Sequence, residues 1–250
     1  MNQTPSTTAK TSPLGSSEHA RSATRTGRKA QVALDLHDLP TALAALREVA
    51  PYVDIIEVGT VLCLSAGMGA VAAIRAAYPD HLVLADIRVA EAGSILSALA
   101  YDAGADWVTV VSGAAPEAFP AVAKVAGERG CDVQVELSDG WTWDTVERCR
   151  ELGIRHFIFH RSRDAEALGD LSWSERDLDS IARVYAMGGR VSVTGGLTTA
   201  EVADFAETPV EVFIAGRGLY GSSNPATSAQ EFAAAVQRLP QISLVEQGTR

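Results

Sequence analysis

The sequence predicts a single (β/α)₈ barrel, the TIM-barrel fold, because eight short β-branched segments alternate with Ala- and Leu-rich segments of helical period. Each of the eight segments is almost continuously apolar, which is typical of parallel strands covered on both faces. The first strand runs into Asp35, Leu36 and His37 instead of a glycine-rich turn, which disfavours an open doubly wound sheet. The 250 residues, 47% of them hydrophobic, suffice for one such barrel.

The predicted elements alternate in strict order along the chain. Strands are predicted at residues 31–36, 54–58, 82–86, 107–111, 132–137, 156–160, 190–194 and 210–215. Helices are predicted at residues 39–50, 68–77, 92–103, 116–128, 142–151, 175–187, 199–205 and 228–239. A barrel domain at residues 30–240 contains all of them, and residues 241–250 form a short C-terminal tail.

Residues 1–29 differ in composition from the barrel domain. They are rich in Ser, Thr and Ala, contain five basic residues, and have Glu18 as their one acidic residue. Such a segment cannot bury a hydrophobic core, and it lacks the apolar run of a secretory signal. We therefore predict a disordered N-terminal tail.

Charge and composition exclude several classes of protein. A net charge of −10 argues against a nucleic-acid partner, which requires a basic surface. Cys63, Cys131 and Cys149 form no CxxC pair, so buried thiols in a reducing cytosol are expected instead of a disulfide framework or a zinc site. No apolar run approaches the ~20 residues that cross a bilayer. We expect a cytoplasmic protein with no membrane partner.

Three carboxylates end the first three predicted strands, where a barrel of this kind binds its ligands. They are those of Asp35, Glu57 and Asp86, and they should converge on one side of the barrel mouth. Like charges placed together repel unless a cation or a proton lies between them, and oxygen ligands favour Mg²⁺ or Mn²⁺. For Asp35, capping of the next helix or pairing with Arg88 is equally consistent with the sequence.

Two glycine-containing segments follow the last two predicted strands. They are Thr194-Gly195-Gly196 and Gly216-Arg217. In barrels, glycine amides after strands seven and eight bind phosphate groups, and an arginine adds a charge-assisted contact. Glycines that only turn the chain are the alternative. Their occurrence on both strands favours a phosphate site.

The fifth and sixth predicted strands also end in functional groups. Glu136 ends the fifth strand, and His160-Arg161-Ser162-Arg163 after the sixth places an imidazole and two guanidinium groups at the mouth. A lone histidine is more often structural than catalytic. Its position at a strand end makes His160 the best candidate among the five histidines.

Together these residues resemble the 3-keto-L-gulonate 6-phosphate decarboxylase and 3-hexulose 6-phosphate synthase group of the orotidine 5′-phosphate decarboxylase superfamily. The segments that carry the resemblance are VALD at 32–35, DIIEVGT at 54–60, ADWVTV at 105–110, GWTW at 140–143, HRSRD at 160–164, VTGG at 193–196 and FIAGR at 213–217. The match extends from about residue 31 to residue 239, and the keto-gulonate branch is the more similar.

The resemblance implies a function for most of these residues. Glu57 and Asp86 would bind Mg²⁺. The sugar would contact Glu136, His160, Arg163 and Thr194, and the phosphate would contact Gly196, Gly216 and Arg217. The family forms dimers with sites completed across the interface, which implies a homodimer in which Glu91 reaches the partner's site.

One motif departs from the family pattern. Where the family has Asp-x-Lys-x-x-Asp, this chain has Asp86, Arg88 and Glu91. In relatives the lysine stabilises an enediolate and helps to deliver a proton. An arginine keeps its proton at any working pH, so Arg88 supplies a fixed positive charge but is a poor proton donor.

Three reactions share an enediolate intermediate: decarboxylation, aldol chemistry, and removal and return of a proton beside the carbonyl. The loss of the lysine favours the last, with Asp35, Glu91 and His160 as acid/base groups. We therefore hypothesise C3 epimerisation of a hexulose 6-phosphate, a phosphorylated ketose. The alternatives, in order, are decarboxylation of 3-keto-L-gulonate 6-phosphate, 3-hexulose 6-phosphate synthase-type aldol chemistry, and sugar-phosphate binding without catalysis.

Overall fold

Eight parallel strands pair in chain order, and the last returns to pair with the first, which closes the sheet into a barrel. The computed structural model describes residues 27–138, 140–161 and 173–241. The strands are β1 (Lys29–Leu34), β2 (Ile55–Val58), β3 (Leu82–Val89), β4 (Trp107–Val111), β5 (Asp132–Leu137), β6 (His156–His160), β7 (Arg190–Thr194) and β8 (Val212–Ala215). The predicted (β/α)₈ fold is confirmed.

Helices connect successive strands on the outside of the barrel. They are α1 (Leu39–Val49), α2 (Thr60–Ala66), α3 (Met68–Ala77), α4 (Gly93–Asp102), α5 (Ala118–Arg129), α6 (Trp143–Glu151), α7 (Glu175–Ala186), α8 (Arg217–Tyr220) and α9 (Pro225–Arg238). Short 3₁₀ helices cover Ala50–Tyr52 and Glu201–Phe205. Within the part of the chain that the structure describes, no single helix is long and apolar enough to span a membrane.

Three of these helices differ from the prediction. Neither α2 nor α8 is among the predicted helices. Both are short, and α2 ends at Gly67, whose φ of +65° breaks the helical run before α3. The helix predicted at 199–205 is a 3₁₀ helix, Glu201–Phe205.

Local sequence explains where the longer helices begin. Asp38 caps α1 by accepting a hydrogen bond from the Thr41 amide, and buried Ala42, Leu46 and Val49 follow at helical spacing. Ser174 and Asp177 form a reciprocal capping box at the start of α7. The buried faces of these helices pack against the outer surface of the barrel in the main hydrophobic core.

A second, smaller core fills the inside of the barrel. It consists of inward-facing residues from alternate positions of the strands: Ala33, Ile55, Leu82, Leu84, Trp107, Ile158, Val212 and Ile214. Burying one such aliphatic side chain contributes roughly 1.5–3 kcal/mol. Because this core plugs the barrel, a cavity can form only at its ends.

A buried ionic network lies at the N-terminal ends of the strands. Lys29 Nζ donates to Glu211 Oε1 at 2.9 Å, and Arg190 donates to both carboxylate oxygens of Glu211. Lys29 was assigned to the tail, but it is the first residue of β1. Its charge suggested a solvated segment, and the buried partner that stabilises it lies far away in the sequence.

Because of this network, we expect the folding stability of the protein to fall as the pH is lowered into the acidic range. Burial would raise the pKa of Glu211, but the hydrogen bonds and charge of Arg190 and the charge of Lys29 lower it to about 2. A lowered folded-state pKa contributes stability that is complete above the unfolded-state value of 4.5 and is lost as pH falls toward 2.

We predict that Glu211→Gln will lower the free energy of unfolding by roughly 3 kcal/mol at pH 7. Urea unfolding measured from pH 7 to pH 3 should show the gap between the two proteins narrowing as the solution is acidified. A gap that stays constant over this range would contradict the assignment.

Candidate active site

A cavity of about 600 Å³ opens at the C-terminal ends of the strands, opposite the ionic network. Eleven of the thirteen residues proposed from sequence line it. They are Asp35, Glu57, Asp86, Arg88, Glu136, His160, Thr194, Gly195, Gly196, Gly216 and Arg217. The closed barrel therefore brings together groups that are up to 182 positions apart in the chain.

One other proposed residue, Glu91, does not line this cavity. Glu91 is exposed on the turn between β3 and α4. Arg163 lies outside the described residues. Arg161, which the sequence placed at the mouth with Arg163, does not line the cavity either, because its guanidinium packs beneath the loop that follows β7.

Glu57 is a buried acid of the cavity. Its Oε2 accepts a hydrogen bond of 2.6 Å from Gln31 Nε2, inside the barrel. Burial raises the pKa of Glu57 well above its usual range, and the negative charges of Asp86 and Asp35 raise it further. A cation beside this carboxylate would relieve both penalties.

Asp86 is held by two threonine hydroxyls. Thr60 Oγ1 donates to Oδ2 at 2.5 Å, and Thr109 Oγ1 donates to Oδ1 at 2.6 Å. Burial raises the pKa of Asp86 even though these two hydrogen bonds lower it. Neither Thr60 nor Thr109 is among the residues predicted from the sequence, although a threonine in an otherwise apolar strand was a usable signal for Thr109.

Asp35 does not cap α1, the helix that follows it, because Asp38 is the N-cap there. Asp35 Oδ1 instead accepts a hydrogen bond of 3.4 Å from the amide of Val61, in the first turn of α2, whose N-cap residue is Gly59. Its charge also raises the pKa of Glu57. A Cβ atom on Gly59 would lie 2.5 Å from Asp35 Oδ1, so this position requires glycine.

Arg88 has an unusual backbone conformation. Its φ is +45°, and the pairing of β3 with β4 shifts register between Ala85 and Val89. A bulge of this kind redirects a side chain, and Thr109 Oγ1 satisfies the displaced Arg88 amide at 2.8 Å. Thr109 thus connects the Arg88 backbone to the Asp86 carboxylate.

Glu136 joins Arg88 to His160. Its Oε1 accepts hydrogen bonds from Arg88 Nη2 at 2.5 Å and from His160 Nδ1 at 2.8 Å, and its side chain is only 5% exposed. Because a carboxylate can only accept, His160 must carry a proton on Nδ1. Nε2 of His160 is then the ring nitrogen left to make a further hydrogen bond.

The other side of the cavity has the features of an anion site. Gly195 and Gly196 have φ angles of +106° and +65°, a left-handed conformation that favours glycine. After β8, Gly216 and Arg217 begin the short helix α8. This arrangement matches the phosphate sites of barrel enzymes, which use the loops after strands seven and eight and a short extra helix.

The carboxylates of the cavity suit Mg²⁺, which needs few protein ligands, better than a metal ion whose ligands all come from the protein. Among the described residues, no group of three or more His, Cys, Asp and Glu side chains could hold a metal ion. Glu57 and Asp86 are nevertheless two electrostatically coupled, buried carboxylates in one cavity. Mg²⁺ is usually bound by one or two carboxylates and completes its shell with substrate oxygens and water. The donor set therefore fits Mg²⁺.

Comparison with known proteins identifies related sequences. Residues 28–232 match the family described as "Orotidine 5'-phosphate decarboxylase / HUMPS family". The chain is 43% identical over 209 residues to 3-keto-L-gulonate-6-phosphate decarboxylase of Escherichia coli, a match that covers 84% of this chain and 96% of that protein.

Solved structures agree with this match. The chain resembles KGPDC from Streptococcus mutans in complex with D-R5P, with a TM-score of 0.81, 37% identity and coverage of 85% and 98% of the two chains. It also resembles 3-hexulose-6-phosphate synthase from Salmonella typhimurium, with a TM-score of 0.79, 31% identity and coverage of 85% and 100%.

Proposed function

Since the chain belongs to the orotidine 5′-phosphate decarboxylase / HUMPS family, we propose that it is a lyase that decarboxylates 3-keto-L-gulonate 6-phosphate. The observation that carries the proposal is the shared cavity. One side holds the coupled acids Glu57 and Asp86 together with Arg88, and the other side holds the glycine turns and Arg217. A phosphorylated keto acid has a matching group at each end.

The relatives favour decarboxylation over the C3 epimerisation that the altered motif suggested. The proteins compared above are decarboxylases and a synthase, and none is an epimerase by name. Arg88 replaces the family's lysine but keeps its positive charge, so a positive charge still faces the developing oxyanion. Aldol chemistry of the synthase type is the second candidate, because a synthase shares this fold at 31% identity.

Mg²⁺ bound by Glu57 and Asp86 would act as a Lewis acid that polarises the substrate carbonyl and an adjacent hydroxyl. The protein orients the two carboxylates through fixed donors. Gln31 holds one oxygen of Glu57, while Thr60 and Thr109 hold the two oxygens of Asp86. Only carboxylates in a defined orientation can place a ligand with the accuracy that catalysis needs.

In the reaction, the bond between the carboxylate carbon and the adjacent carbon breaks, and its electron pair moves onto the former carbonyl oxygen. Arg88, held by Glu136, provides a fixed positive charge beside the oxyanion that forms. Glycine amides after β7, together with Arg217, hold the phosphate group in place. Phosphate binding thus fixes the position of a carbon that lies several bonds away.

The carbon left after loss of CO₂ must then receive a proton. His160 is the best donor, because its Nδ1 proton is fixed by Glu136 and its Nε2 can carry a second proton. Arg88 cannot take this part, since a guanidinium does not release its proton at neutral pH. The product is a five-carbon ketose 5-phosphate.

A single experiment tests this proposal against its alternatives. The protein is incubated with Mg²⁺ and 3-keto-L-gulonate 6-phosphate, and separately with ketohexose 6-phosphates, in D₂O and followed by ¹H NMR. Release of CO₂ with one deuterium in a five-carbon product supports decarboxylation. Six-carbon products with deuterium at C3 would establish epimerisation, formaldehyde would establish the synthase reaction, and binding without turnover would establish a sugar-phosphate binder.

We also propose that the protein acts as a homodimer through the helices next to the cavity. Leu64 on α2 is 83% exposed, and Ile95 and Leu99 on α4 are 64% and 54% exposed. Because α2 and α4 follow neighbouring strands, these side chains occupy adjacent parts of the outer surface. Glu91 lies two residues before the start of α4, next to the N-cap residue Ala92. Association of two copies here would bring Glu91 close to the partner's cavity.

We predict that Glu91→Gln and Asp86→Asn will each lower activity and that the two variants will complement each other, because the family resemblance implies that Glu91 reaches the partner's site. Glu91→Gln leaves Asp86 intact, and Asp86→Asn leaves Glu91 intact, so a mixed dimer has one complete site if Glu91 serves the partner. Refolding an equal mixture should restore about a quarter of the wild-type activity by random pairing. Lack of recovery despite verified mixed dimers would place Glu91 in its own subunit's site or outside the chemistry.

A further inference from the structure

The loop after β7 lies directly against the first residue after β6. The Arg161 amide donates to the Thr194 carbonyl at 3.1 Å, which extends the pairing of β6 with β7 by one residue. A Cβ atom on Gly195 would lie 2.4 Å from the Arg161 carbonyl oxygen and 2.6 Å from its Cβ. The Gly195 backbone therefore packs on the Arg161 backbone without room for a side chain.

The Arg161 side chain then extends along the loop. Its Nε donates to the Gly195 carbonyl at 3.0 Å, and its guanidinium lies 4.9 Å from the centre of the Trp173 ring. The side chain is 9% exposed. The Arg161 guanidinium thus fixes the Gly195 carbonyl. Because this carbonyl and the Gly196 N–H belong to one planar peptide, its orientation also determines where the Gly196 N–H points.

Glu201 connects this guanidinium to the end of the same loop. Arg161 Nη1 donates to Glu201 Oε1 at 2.8 Å. The other oxygen of Glu201 accepts hydrogen bonds from the Thr198 amide at 2.8 Å and from the Thr198 hydroxyl at 2.7 Å. The pair therefore binds the loop at Gly195 and at Thr198, on either side of Gly196.

Arg161 acts from behind the loop. Gly195, Gly196 and Thr198 line the cavity, whereas Arg161 and Glu201 do not. The charges of Arg161 and Glu201 also compensate each other at 2.8 Å. Their effect on an anion in the cavity must therefore come from the geometry of the loop amides and not from direct attraction.

We propose that Arg161, paired with Glu201, is a positioning residue that fixes the Gly195-Gly196 turn for the phosphate group of the substrate. This inference rests on the proposed function, in which that turn binds phosphate. It assigns to Arg161 an effect on phosphate affinity, with little effect on the step that breaks the carbon–carbon bond.

The test compares Arg161→Met with a matched control, Arg75→Met. Arg75 makes the same kind of contacts at the opposite end of the barrel: its Nε donates to the carbonyl of Gly104 at 2.8 Å, and it pairs with Asp106. Gly104 also has a positive φ, of +97°. Both variants therefore remove an arginine that holds a glycine carbonyl and an acid, one beside the cavity and one far from it. Arg75 also donates to the carbonyls of Tyr78, Pro79 and His81, so its loss is the more severe structural change.

Affinity is measured with inorganic phosphate by ³¹P NMR, and turnover with 3-keto-L-gulonate 6-phosphate. We expect Arg161→Met to weaken phosphate binding about tenfold or more and to raise KM, with kcat close to that of the wild type. Arg75→Met should match the wild type in both. Glu201→Gln, which keeps the bond to Gly195, should give a smaller loss, and Arg161→Lys should recover part of the affinity.

Each outcome decides between the two proposals. Unchanged phosphate affinity in Arg161→Met, or equal losses in Arg161→Met and Arg75→Met, overturns the positioning role and leaves the proposed function intact. Failure of the wild type itself to bind phosphate overturns the phosphate site. If Arg161→Met does not fold, Glu201→Gln and Arg161→Lys carry the test, and wild-type KM in both overturns the inference.

Discussion

Replacing Glu57 with glutamine will lower kcat/KM for decarboxylation by about 10³-fold and will raise, not lower, the stability of the metal-free protein. Activity falls because one of two carboxylates that would bind Mg²⁺ is lost. Stability rises because burial and the charges of Asp86 and Asp35 raise the pKa of Glu57, so its ionised form is unfavourable without a cation.

Glu57→Gln should thus lower activity but raise stability. A carboxylate with a purely structural role would lower stability when it is replaced. Thermal unfolding with and without Mg²⁺ is the measurement: Mg²⁺ should stabilise the wild type and should not stabilise Glu57→Gln. Glu211→Gln is the matched control, because the same substitution there removes a carboxylate held by Arg190 and Lys29. It should destabilise the protein and leave the response to Mg²⁺ unchanged.

One result contradicts this account. If metal-free Glu57→Gln is less stable than the wild type while Mg²⁺ still stabilises it, the carboxylate supports the barrel and does not bind the ion. In that case Gln31, which donates to Glu57 at 2.6 Å, would be its structural partner. The acidic side of the cavity would then have another role.

The sequence located the cavity because a parallel barrel places every strand end at the same edge. Glu57, Glu136 and His160 could be assigned from the ends of apolar segments alone, and all three line the cavity. The register of the strands follows from the closed sheet, so no side-chain detail was needed. Charged groups at successive strand ends were therefore sufficient to predict residues that line the cavity.

The conformation of Arg88 could not be predicted in the same way. The predicted third strand ended at Asp86, but β3 continues through a bulge to Val89. A positive φ is normally marked by glycine or asparagine, and arginine gives no such signal. The bulge is a register shift between β3 and β4, and the Arg88 amide donates to Thr109 of β4, so the conformation involves two segments and not one.

The direction of a side chain was also beyond the sequence. Arg161 and Arg163 are two residues apart and were placed together at the mouth, yet Arg161 turns beneath the neighbouring loop to reach Glu201. Its partners are 34 and 40 positions away in the chain. The spacing of residues predicts where the backbone of an arginine lies, whereas its long-range partners determine where its guanidinium lies.

The charge of Arg88 gives the second large effect. Arg88→Met should lower kcat by about 10²–10³-fold with a much smaller change in KM, because the oxyanion that Arg88 faces exists only as the carbon–carbon bond breaks. Arg88→Lys keeps the charge and restores the family's residue, so its loss should be less than about tenfold. Steady-state kinetics of CO₂ release with 3-keto-L-gulonate 6-phosphate measures both.

A double variant excludes an indirect explanation, in which Arg88→Met acts only by leaving the buried Glu136 carboxylate with one partner fewer. If that were the cause, adding Glu136→Gln would remove the excess negative charge and recover activity. We expect no recovery, because Glu136 orients Arg88 and His160 but does not replace the positive charge beside the oxyanion. A kcat for Arg88→Met within about threefold of the wild type would mean that the oxyanion is stabilised elsewhere in the cavity.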